Sequence, residues 1–552
     1  MTELLTTIAI IFIIAGPFLL LANALRLPTA PALIVAGLVA GRFIDPQLKL
    51  EIARLGIALL VFTFAVRIQT TDVQTAIADT EVVALTQLTV MGATGFGAGL
   101  LLNLPAEQAI YLGIAAAISS SIVGSTLFLP GDQDLVYDQL SESVHSIQDF
   151  AALFSLLVVS AGVLALDPIA TQLGYGVMLL LLAIVINRYL YDEVRKFVDG
   201  ADEPMLIGAV ALLLMFLGVS ASLDMSIVVG AFAAGVAVQA DTGHSGVING
   251  LESINDFFAA IFFITVGSLV TVPTVDVLWL TVTLVVLVAL VKPAITIALL
   301  MSKGYERRTA TLTALNLDQV GEFALIIAIE ALVLNLLVPT LFDAIILAAA
   351  ITLITSSFTR YYDEEIYHAL GDRGLLGRYS KTVERESNVP DTLTDHIVIV
   401  GFGRHGRVLV EACEEHGQQY VVIESNPALL EDLQAECQDY VYGDVVEQET
   451  IEKSRLTDAR LVISTADTRP VNERLMTYAD QVDLVVRAEN RASAREFLDR
   501  GALYATVSDL LAADRLEERF AGLLAGEYDP ADLRAEVLEN KERRKAPPEA
   551  GD

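Results

Sequence analysis

Long apolar runs follow one another through the first 357 residues of the chain and then stop. Several of them are shorter than the roughly 20 residues that a straight membrane-spanning helix needs, so the apolar pattern gives only approximate helix boundaries. The apolar segments lie near residues 4–21, 29–41, 52–66, 82–102, 108–128, 147–166, 174–187, 204–220, 224–240, 254–271, 277–300, 309–334 and 338–357. This pattern predicts an α-helical polytopic membrane domain of about 13 spans, with twelve as the alternative count.

Polar residues interrupt two of these segments at comparable places in the two halves of the domain. The fifth segment carries Ser119, Ser120 and Ser121 in mid-span, followed by Gly124 and Ser125. The interruption of the twelfth consists of Asn316, Asp318, Gln319, Gly321 and Glu322. Such a pair indicates inverted repeats with two broken crossing helices and a transport site near the middle of the membrane. The alternative at the serines is close helix packing. Asp318 and Glu322 are spaced i,i+4, which would place them on one face of a helix, and the alternative there is a short interfacial loop.

Two charged side chains stand out within apolar sequence. Gln148 and Asp149 come at the head of the sixth apolar segment, where a carboxylate costs several kcal/mol and usually handles an ion or a proton. The alternative is that Asp149 caps a helix that starts at the membrane interface.

Lys292 is centred in another span, so it must snorkel, pair with a carboxylate or lose its proton. We expect it to pair with Asp149; the alternative is a lysine that holds an unwound helix together.

Composition divides the chain at the same place as the apolar runs. The chain has 552 residues, of which 54% are hydrophobic, yet its formal net charge is −33, and charged residues dominate after Tyr361. A membrane domain followed by a soluble one explains both the high hydrophobic content and the large net charge. We predict a membrane domain over 1–360, a charged linker over 361–391, a soluble domain over 392–515 and a helical or disordered extension over 516–552.

Charge argues against one class of partner, nucleic acid, and cysteine content indicates the cellular compartment of the soluble domain. With 68 acidic and 35 basic residues, the chain lacks the basic surface that nucleic acid requires. The same excess of acid is typical of salt-adapted proteins, so we hypothesise a halophilic source. The only two cysteines, Cys413 and Cys437, provide no disulfide framework and indicate a reducing cytoplasmic location for the soluble domain.

A glycine motif opens the soluble domain. The β-branched run His396 to Val400 predicts a buried strand, and Gly401, Gly403 and Gly406 follow in G-x-G-x-x-G spacing. A helix to about His416 and a second strand, Tyr420 to Ile423, lead to Glu424. Strand, glycines, helix, strand and acid together indicate a Rossmann-like nucleotide site, in which the glycines admit a pyrophosphate and Glu424 accepts ribose hydroxyls. The alternative is a Rossmann fold that has lost its ligand.

Further βα units follow the second strand. The predicted strands cover 439–442, 461–464 and 484–487, and the predicted helices lie near 429–436, 447–454 and 469–479.

The membrane half resembles a known transporter family along its whole length. The matching stretches are LRLPTAPALIVAGLVAG (25–41), LGIALLVFTFAVRI (55–68), AAISSSIVGSTL (116–127), HSIQDF (145–150), MSIVVGAFAAGVAV (225–238), FFAAIFFITVGSLV (257–270) and ALNLDQVGEFAL (314–325). In this order they resemble the second monovalent cation:proton antiporter family, and within it the Kef-type potassium/proton antiporters. The resemblance implies a multi-pass protein of the cell membrane that exchanges K⁺, or else Na⁺, for H⁺ by alternating access.

The same resemblance assigns roles to residues of this chain. It implies that Asp149 is the carboxylate that binds cation and proton in turn. Electrogenic relatives carry a second acid where this chain has Gln148, which implies electroneutral one-for-one exchange. Lys292 falls where the family often has a buried basic residue. The residues implied to line the site are Ser119, Ser120, Ser121, Asp318, Gln319 and Glu322.

The soluble half resembles the N-terminal RCK (KTN) regulatory domain of potassium channels and Kef systems. Tyr442-Gly443-Asp444, Arg487-Ala488 and Gly501-Ala502 match its later motifs. The resemblance implies a homodimer whose cytoplasmic C-terminal domain binds an adenine nucleotide, NAD(H) or AMP, with ATP as a further option. The expected nucleotide-binding residues are Gly401, Phe402, Gly403, Arg404, His405, Gly406, Glu424, Ser425, Gly443, Asp444 and Arg487.

Two other functions compete with antiport. An RCK-gated potassium channel is disfavoured because the chain lacks a selectivity-filter sequence such as TVGYG. A membrane-bound dehydrogenase is disfavoured because no base, nucleophile or set of metal ligands accompanies the glycine motif, and the six histidines are scattered. We therefore expect a transporter and not an enzyme.

Overall fold

The computed structural model describes residues 2–25, 29–67, 78–120, 136–162, 166–191, 202–223, 225–238, 259–373, 387–390, 392–426, 429–466, 468–488 and 490–507. The chain forms two compact units, an all-helical one in its first two thirds and an α/β one after it.

The helical unit begins with nine described helices before residue 239. They are α1 (Thr2–Leu25), α2 (Thr29–Ala40), α3 (Pro46–Arg67), α4 (Ala78–Leu101), α5 (Ala106–Ala117), α6 (Val136–Val159), α7 (Leu166–Val185, continued by a π-helical turn Ile186–Tyr191), α8 (Asp202–Ser222) and α9 (Ile227–Val238).

Seven further described helices complete this unit. They are α10 (Ala259–Leu269), α11 (Val275–Val286), α12 (Lys292–Ser302, reached through the π-helical turn Leu287–Val291), α13 (Arg307–Leu315), α14 (Glu322–Val333), α15 (Pro339–Tyr361) and α16 (Asp363–Asp372). Within the described residues, six helical spans are long and apolar enough to cross a membrane, and four more apolar helices are shorter. The count of 13 spans stays a prediction.

Both interrupted segments end a helix at their polar residues. In the first, α5 ends at Ala117 and the backbone of Ile118 is extended. In the second, α13 ends at Leu315 and α14 begins at Glu322, with residues 316–321 between them. Gly124 and Ser125 lie outside the described residues. Asp318 therefore stands in the break and Glu322 at the start of the next helix, so the idea that they share one helical face is wrong.

The beginning of the predicted linker is a helix. Residues 363–372 form α16, and the Arg308 guanidinium of α13 binds both carboxylate oxygens of Glu364, with Nε to Oε1 at 3.0 Å and Nε to Oε2 at 3.3 Å. The Arg308 side chain is only 3% exposed, so this ion pair fixes α16 against the helical unit. Charged composition suggested an open linker there, but a tertiary ion pair gives these charges a partner.

The α/β unit is built on one parallel sheet. Its strands are β1 (Ile397–Val400), β2 (Tyr420–Glu424), β3 (Tyr440–Tyr442), β4 (Leu461–Ser464), β5 (Asp483–Arg487) and β6 (Tyr504–Thr506). They lie in the order β3-β2-β1-β4-β5-β6, which is the doubly wound Rossmann order. Along β1, Val398 and Val400 belong to one apolar cluster, and Ile397 and Ile399 belong to another, because successive side chains point to opposite faces.

Helices connect these strands. They are α17 (Arg404–Glu415), α18 (Leu430–Glu436), α19 (Gln448–Lys453), α20 (Arg469–Met476) and α21 (Arg491–Asp499). The predicted strands and helices match within a few residues, whereas α21 and β6 were not anticipated.

The glycine turn between β1 and α17 depends on two glycines in particular. Gly401 has a φ of +95°, which side chains with a Cβ rarely adopt. A Cβ on Gly406 would lie 2.0 Å from the carbonyl oxygen of Gly401, so this glycine lets the helix pack against the end of the strand. A Cβ on Gly403 would meet nothing within 4 Å. The first and third glycines therefore serve the fold, and the second leaves open space.

We expect Gly406→Ala to destabilise the α/β unit by about 1–3 kcal/mol, because the added methyl group overlaps backbone. Both cysteines of the chain lie in this unit and are buried, and burial raises the pKa of both thiols, that of Cys437 to about 12. Thiol labelling during heating therefore reports unfolding of this unit alone. Gly406→Ala should become labelled at a lower temperature, and the matched variant Gly403→Ala should be labelled like the wild type. Equal labelling curves for Gly406→Ala and the wild type would contradict the packing argument.

Candidate functional site

The two broken segments meet backbone to backbone inside the helical unit. The amide of Gly321 donates to the carbonyl oxygen of Ile118 at 3.1 Å. A Cβ on Gly321 would lie 2.4 Å from the carbonyl oxygen of Ser119, so only glycine permits this approach. The structure thus brings together the two interruptions that the sequence singles out. Ser121 lies outside the described residues.

Lys292, the first residue of α12, forms hydrogen bonds to both broken segments. Its ammonium group donates to the Ser119 hydroxyl and to the Gln319 carbonyl oxygen, each at 3.1 Å, and the side chain is completely buried. No ion pair joins Lys292 to Asp149, both of which the structure describes, so the expected pairing is wrong. Backbone carbonyls released from helical bonding are strong acceptors, and the ammonium group takes one of them. The alternative interpretation, a lysine that holds an unwound helix together, is the one observed.

Asp149 lies in the middle of α6, which begins at Val136, and not at the start of a helix. The idea that Asp149 is a helix cap is therefore wrong, because the polar stretch before Gln148 is itself helical. Asp149 is 3% exposed, and its Oδ1 atom has no hydrogen-bond partner in the described part of the chain. The buried carboxyl group of Glu322 interacts with it electrostatically. A buried carboxylate oxygen without a donor is suited to a proton or a cation.

Gln148 is held on both sides by neighbouring elements. Its Oε1 accepts from the backbone amide of Ser119 at 2.8 Å, and its Nε2 donates to Oε1 of Gln87 on α4 at 2.7 Å. Gln87 in turn donates to the Thr296 hydroxyl on α12 at 3.2 Å. Sequence reasoning missed Gln87 and Thr296, although a glutamine inside the apolar segment 82–102 is a signal that could have pointed to Gln87.

Gln319 and Asp318 attach the second broken segment to its surroundings. Gln319 Nε2 donates to the carbonyl oxygens of Ser120 at 2.7 Å and Asn316 at 3.1 Å, and its Oε1 accepts from the Ser356 hydroxyl at 3.1 Å. Asp318 is 1% exposed, and its Oδ2 accepts from the Thr359 hydroxyl at 2.7 Å. The predicted membrane-site residues that the structure describes therefore meet at one crossing.

In the α/β unit, the carboxylate of Glu424 is engaged by the backbone around it. Oε2 accepts from the amide of Phe402 at 2.7 Å, while Oε1 accepts from the amides of Ser425 at 2.8 Å and Asn426 at 2.7 Å. Burial raises the pKa of Glu424, against the effect of these three amides, which lower it. Glu424 thus fixes the glycine turn, and three of about four carboxylate lone pairs are already used.

The other expected nucleotide-binding residues lie at the carboxyl ends of the strands. Gly443 donates its amide to the Glu424 carbonyl oxygen at 2.8 Å, and Asp444 accepts from the amide of Val446 at 3.0 Å. Arg487, at the end of β5, donates to the Thr465 carbonyl oxygen at 3.1 Å. In open α/β sheets, ligands bind at this edge.

The start of α17 completes the candidate nucleotide site. Arg404 and His405 are exposed in its first turn, and no side chain caps its amides. Phe402 is completely buried beneath the Arg407 guanidinium, 4.4 Å from the ring centroid, so only the Phe402 backbone faces the turn. The open space at Gly403 lies directly before these amides. The arrangement fits a phosphate group at a helix N-terminus.

We expect Lys292→Met to lower the stability of the helical unit by about 1–3 kcal/mol, because the buried Gln319 carbonyl group loses its donor, while the Ser119 hydroxyl group keeps its hydrogen bond to the Leu317 carbonyl oxygen at 3.0 Å. The temperature at which the detergent-purified protein loses its monodisperse chromatographic peak should fall. Lys303→Met is the matched control, since Lys303 is exposed just after α12. If both variants withstand heating equally, Lys292 does not hold the broken segments.

Comparison with known proteins agrees with this architecture. The family model "Sodium/hydrogen exchanger, transmembrane" matches residues 8–361, more than half of the chain, and the TrkA-N domain model matches residues 397–508. The chain is 25% identical over 530 residues to the putative cation/proton antiporter YbaL of Escherichia coli (strain K12), covering 91% of this chain and 94% of YbaL.

One further relative and one solved structure are also similar to the chain. The glutathione-regulated potassium-efflux system protein KefC of Enterobacter sp. (strain 638) is 24% identical over 498 residues, covering 86% of this chain and 78% of KefC. The solved sodium proton antiporter MjNhaP1 from Methanocaldococcus jannaschii is 16% identical, with a TM-score of 0.48, over 68% of this chain and all of MjNhaP1.

The resemblance drawn from the sequence motifs is therefore confirmed, as are the predicted transporter class and fold class. The protein is a multi-pass membrane protein with a cytoplasmic TrkA-N domain, and it is not an enzyme. The chain belongs to the sodium/hydrogen exchanger family, as a Kef-type cation/proton antiporter with an RCK domain.

Proposed function

We propose that the chain exchanges K⁺, in preference to Na⁺, for H⁺ by alternating access, with Asp149 binding the cation and the proton in turn. The supporting observation is its buried Oδ1 atom, which lacks a hydrogen-bond partner in the described part of the chain. A buried carboxylate is stable only when a positive charge or a proton accompanies it. Because Lys292 is committed to Ser119 and Gln319, the exchanged ions themselves supply that positive charge.

The surroundings of Asp149 support a small oxygen-lined site. Serine hydroxyls and backbone carbonyls of the broken segments are neutral oxygen donors, which suit hard monovalent cations. In this proposal Ser119, Ser120, Ser121 and Gln319 shape the site, while Asp318 and Glu322 add negative potential. Gln148 carries no charge, so one carboxylate alternates between one cation and one proton. The exchange is then electroneutral.

We expect Asp149→Asn to abolish exchange, because an amide neither binds a proton nor neutralises a cation. The measurement is cation-driven proton release from proteoliposomes, with K⁺ and Na⁺ compared, and with and without an imposed membrane potential. The wild type should exchange K⁺ faster than Na⁺, at a rate that the potential does not change. Asp276→Asn is the control, since Asp276 is an exposed carboxylate in the first turn of α11.

Three outcomes would count against this assignment. Exchange that survives in Asp149→Asn would move the carrier role to Asp318 or Glu322. Cation flux without proton movement would favour a channel. Faster exchange of Na⁺ than of K⁺ would reverse the proposed selectivity.

We further propose that the TrkA-N domain binds an adenine nucleotide, NAD(H) or AMP ahead of ATP, and thereby regulates exchange in a homodimer. The supporting observation is the open space at Gly403 before the uncapped amides of α17. Phosphate groups would lie there, near Arg404 and His405. The ribose would approach Glu424 and Ser425, and Gly443, Asp444 and Arg487 would border the nucleotide. Regulation requires that the nucleotide favours one transport state over the other.

We expect Gly403→Val to weaken nucleotide binding by the intact protein more than tenfold, because its side chain would fill the space meant for phosphate. Calorimetric titration with NAD⁺, NADH, AMP and ATP measures the effect. Gly371→Val is the matched control, since a Cβ on Gly371 in α16 also meets nothing within 4 Å. Absence of binding by the wild type would refute the nucleotide site and leave antiport untouched. Undiminished binding in Gly403→Val would place the nucleotide elsewhere.

A further inference from the structure

Gln87 belongs to a closed ring of hydrogen bonds beside the proposed cation site. The ring runs from the Ser119 amide through the side chains of Gln148, Gln87 and Thr296 to the Lys292 carbonyl oxygen, with donor–acceptor distances of 2.8, 2.7, 3.2 and 2.9 Å. It closes because the Lys292 ammonium group donates to the Ser119 hydroxyl at 3.1 Å. All five side chains are at most 1% exposed.

The direction of these hydrogen bonds is determined from the Ser119 end. A backbone amide only donates, so Gln148 must present its carbonyl oxygen to Ser119. Gln148 then presents its amino group to Gln87, and Gln87 must accept with its own carbonyl oxygen. Thr296 accepts from the Gln87 amino group, so its single hydroxyl hydrogen goes to Lys292.

The Lys292 end imposes the same direction independently. A carbonyl oxygen only accepts, so Thr296 donates to Lys292 and accepts from Gln87. A flipped amide at Gln148 or Gln87 would set two donors or two acceptors against each other in a buried place, which is costly. Gln87 is the only link between the Thr296 hydroxyl and the Gln148 amide in this ring.

Gln148 directly precedes Asp149, and Ser119 is the second residue after the end of α5. Holding the Gln148 oxygen on the Ser119 amide therefore fixes the distance between the first broken segment and the helix that carries Asp149. We propose that Gln87 is a positioning residue of the cation site: it fixes the Gln148 amide, and through it the Ser119 segment beside Asp149. This role rests on the proposed exchange at Asp149.

The test measures the cation KM and the maximal exchange rate of Gln87 variants in proteoliposomes. Gln87→Met keeps the length of the side chain and removes both hydrogen bonds, so we expect the cation KM to rise about tenfold, as a loss of roughly 1–1.5 kcal/mol predicts, with a smaller change in maximal rate. Gln87→Glu should stay within about threefold of the wild type, because a neutral carboxyl group, the form that burial favours, still accepts from Gln148 and donates its hydroxyl hydrogen to Thr296. Thr296→Val should resemble Gln87→Met, and Thr296→Ser should resemble the wild type.

A double-mutant cycle distinguishes positioning from general packing. If Gln87 acts through Gln148, the variant Gln87→Met/Gln148→Met should have the same cation KM as Gln148→Met alone. Additive effects of the two substitutions would overturn the proposal, as would an unchanged KM in Gln87→Met or a loss in Gln87→Glu equal to that in Gln87→Met. Should Gln87→Met not fold, the Thr296→Val and Thr296→Ser pair carries the same test. Failure of the wild type to exchange would instead refute the proposed function itself.

Discussion

Backbone that leaves a helix inside a membrane must find other hydrogen-bond partners, because each unsatisfied group there costs several kcal/mol. The membrane domain meets this constraint where its two broken segments cross. Gly321 bonds directly to Ile118, and Lys292 and Gln319 reach across to carbonyl oxygens of the broken segments. The amide of Val320 is satisfied by the Thr352 hydroxyl at 3.1 Å. The crossing is thus held by its own backbone and by side chains from α12 and α15.

Satisfying the backbone in this way determines which groups remain for ions. Sequence reasoning placed Lys292 and Gln148 among the ion-binding residues. In the structure, their polar groups form hydrogen bonds within the crossing instead. The Oδ1 atom of Asp149 is left without such a contact in the described part of the chain, next to the fixed Gln148. In the proposed exchange, cation and proton would compete for this one carboxylate beside the hydrogen-bonded crossing.

Sequence patterns predicted the strands and the breaks because both are local signals. Four-residue β-branched runs such as Ile397–Val400 indicate buried strands. Polar residues within apolar segments indicate the helix interruptions at Ser119 and Asp318. The contact of Lys292 with Ser119 was not predictable, since Ser119 lies 173 residues away and any nearby carboxylate was an equally reasonable choice of partner. Helix α16 was missed because its acidic composition resembles a linker, and the contact that shows its packing is a tertiary ion pair, with Arg308.

The Glu424 carboxylate has a consequence for kinetics. By binding the amides of Phe402, Ser425 and Asn426, it keeps the glycine turn in one conformation before any ligand arrives. A ligand that docks there loses little free energy to ordering of the loop, since the protein has met that entropic cost during folding. For the proposed nucleotide, association would then need no slow conformational step, and the occupancy of the turn would follow the nucleotide concentration.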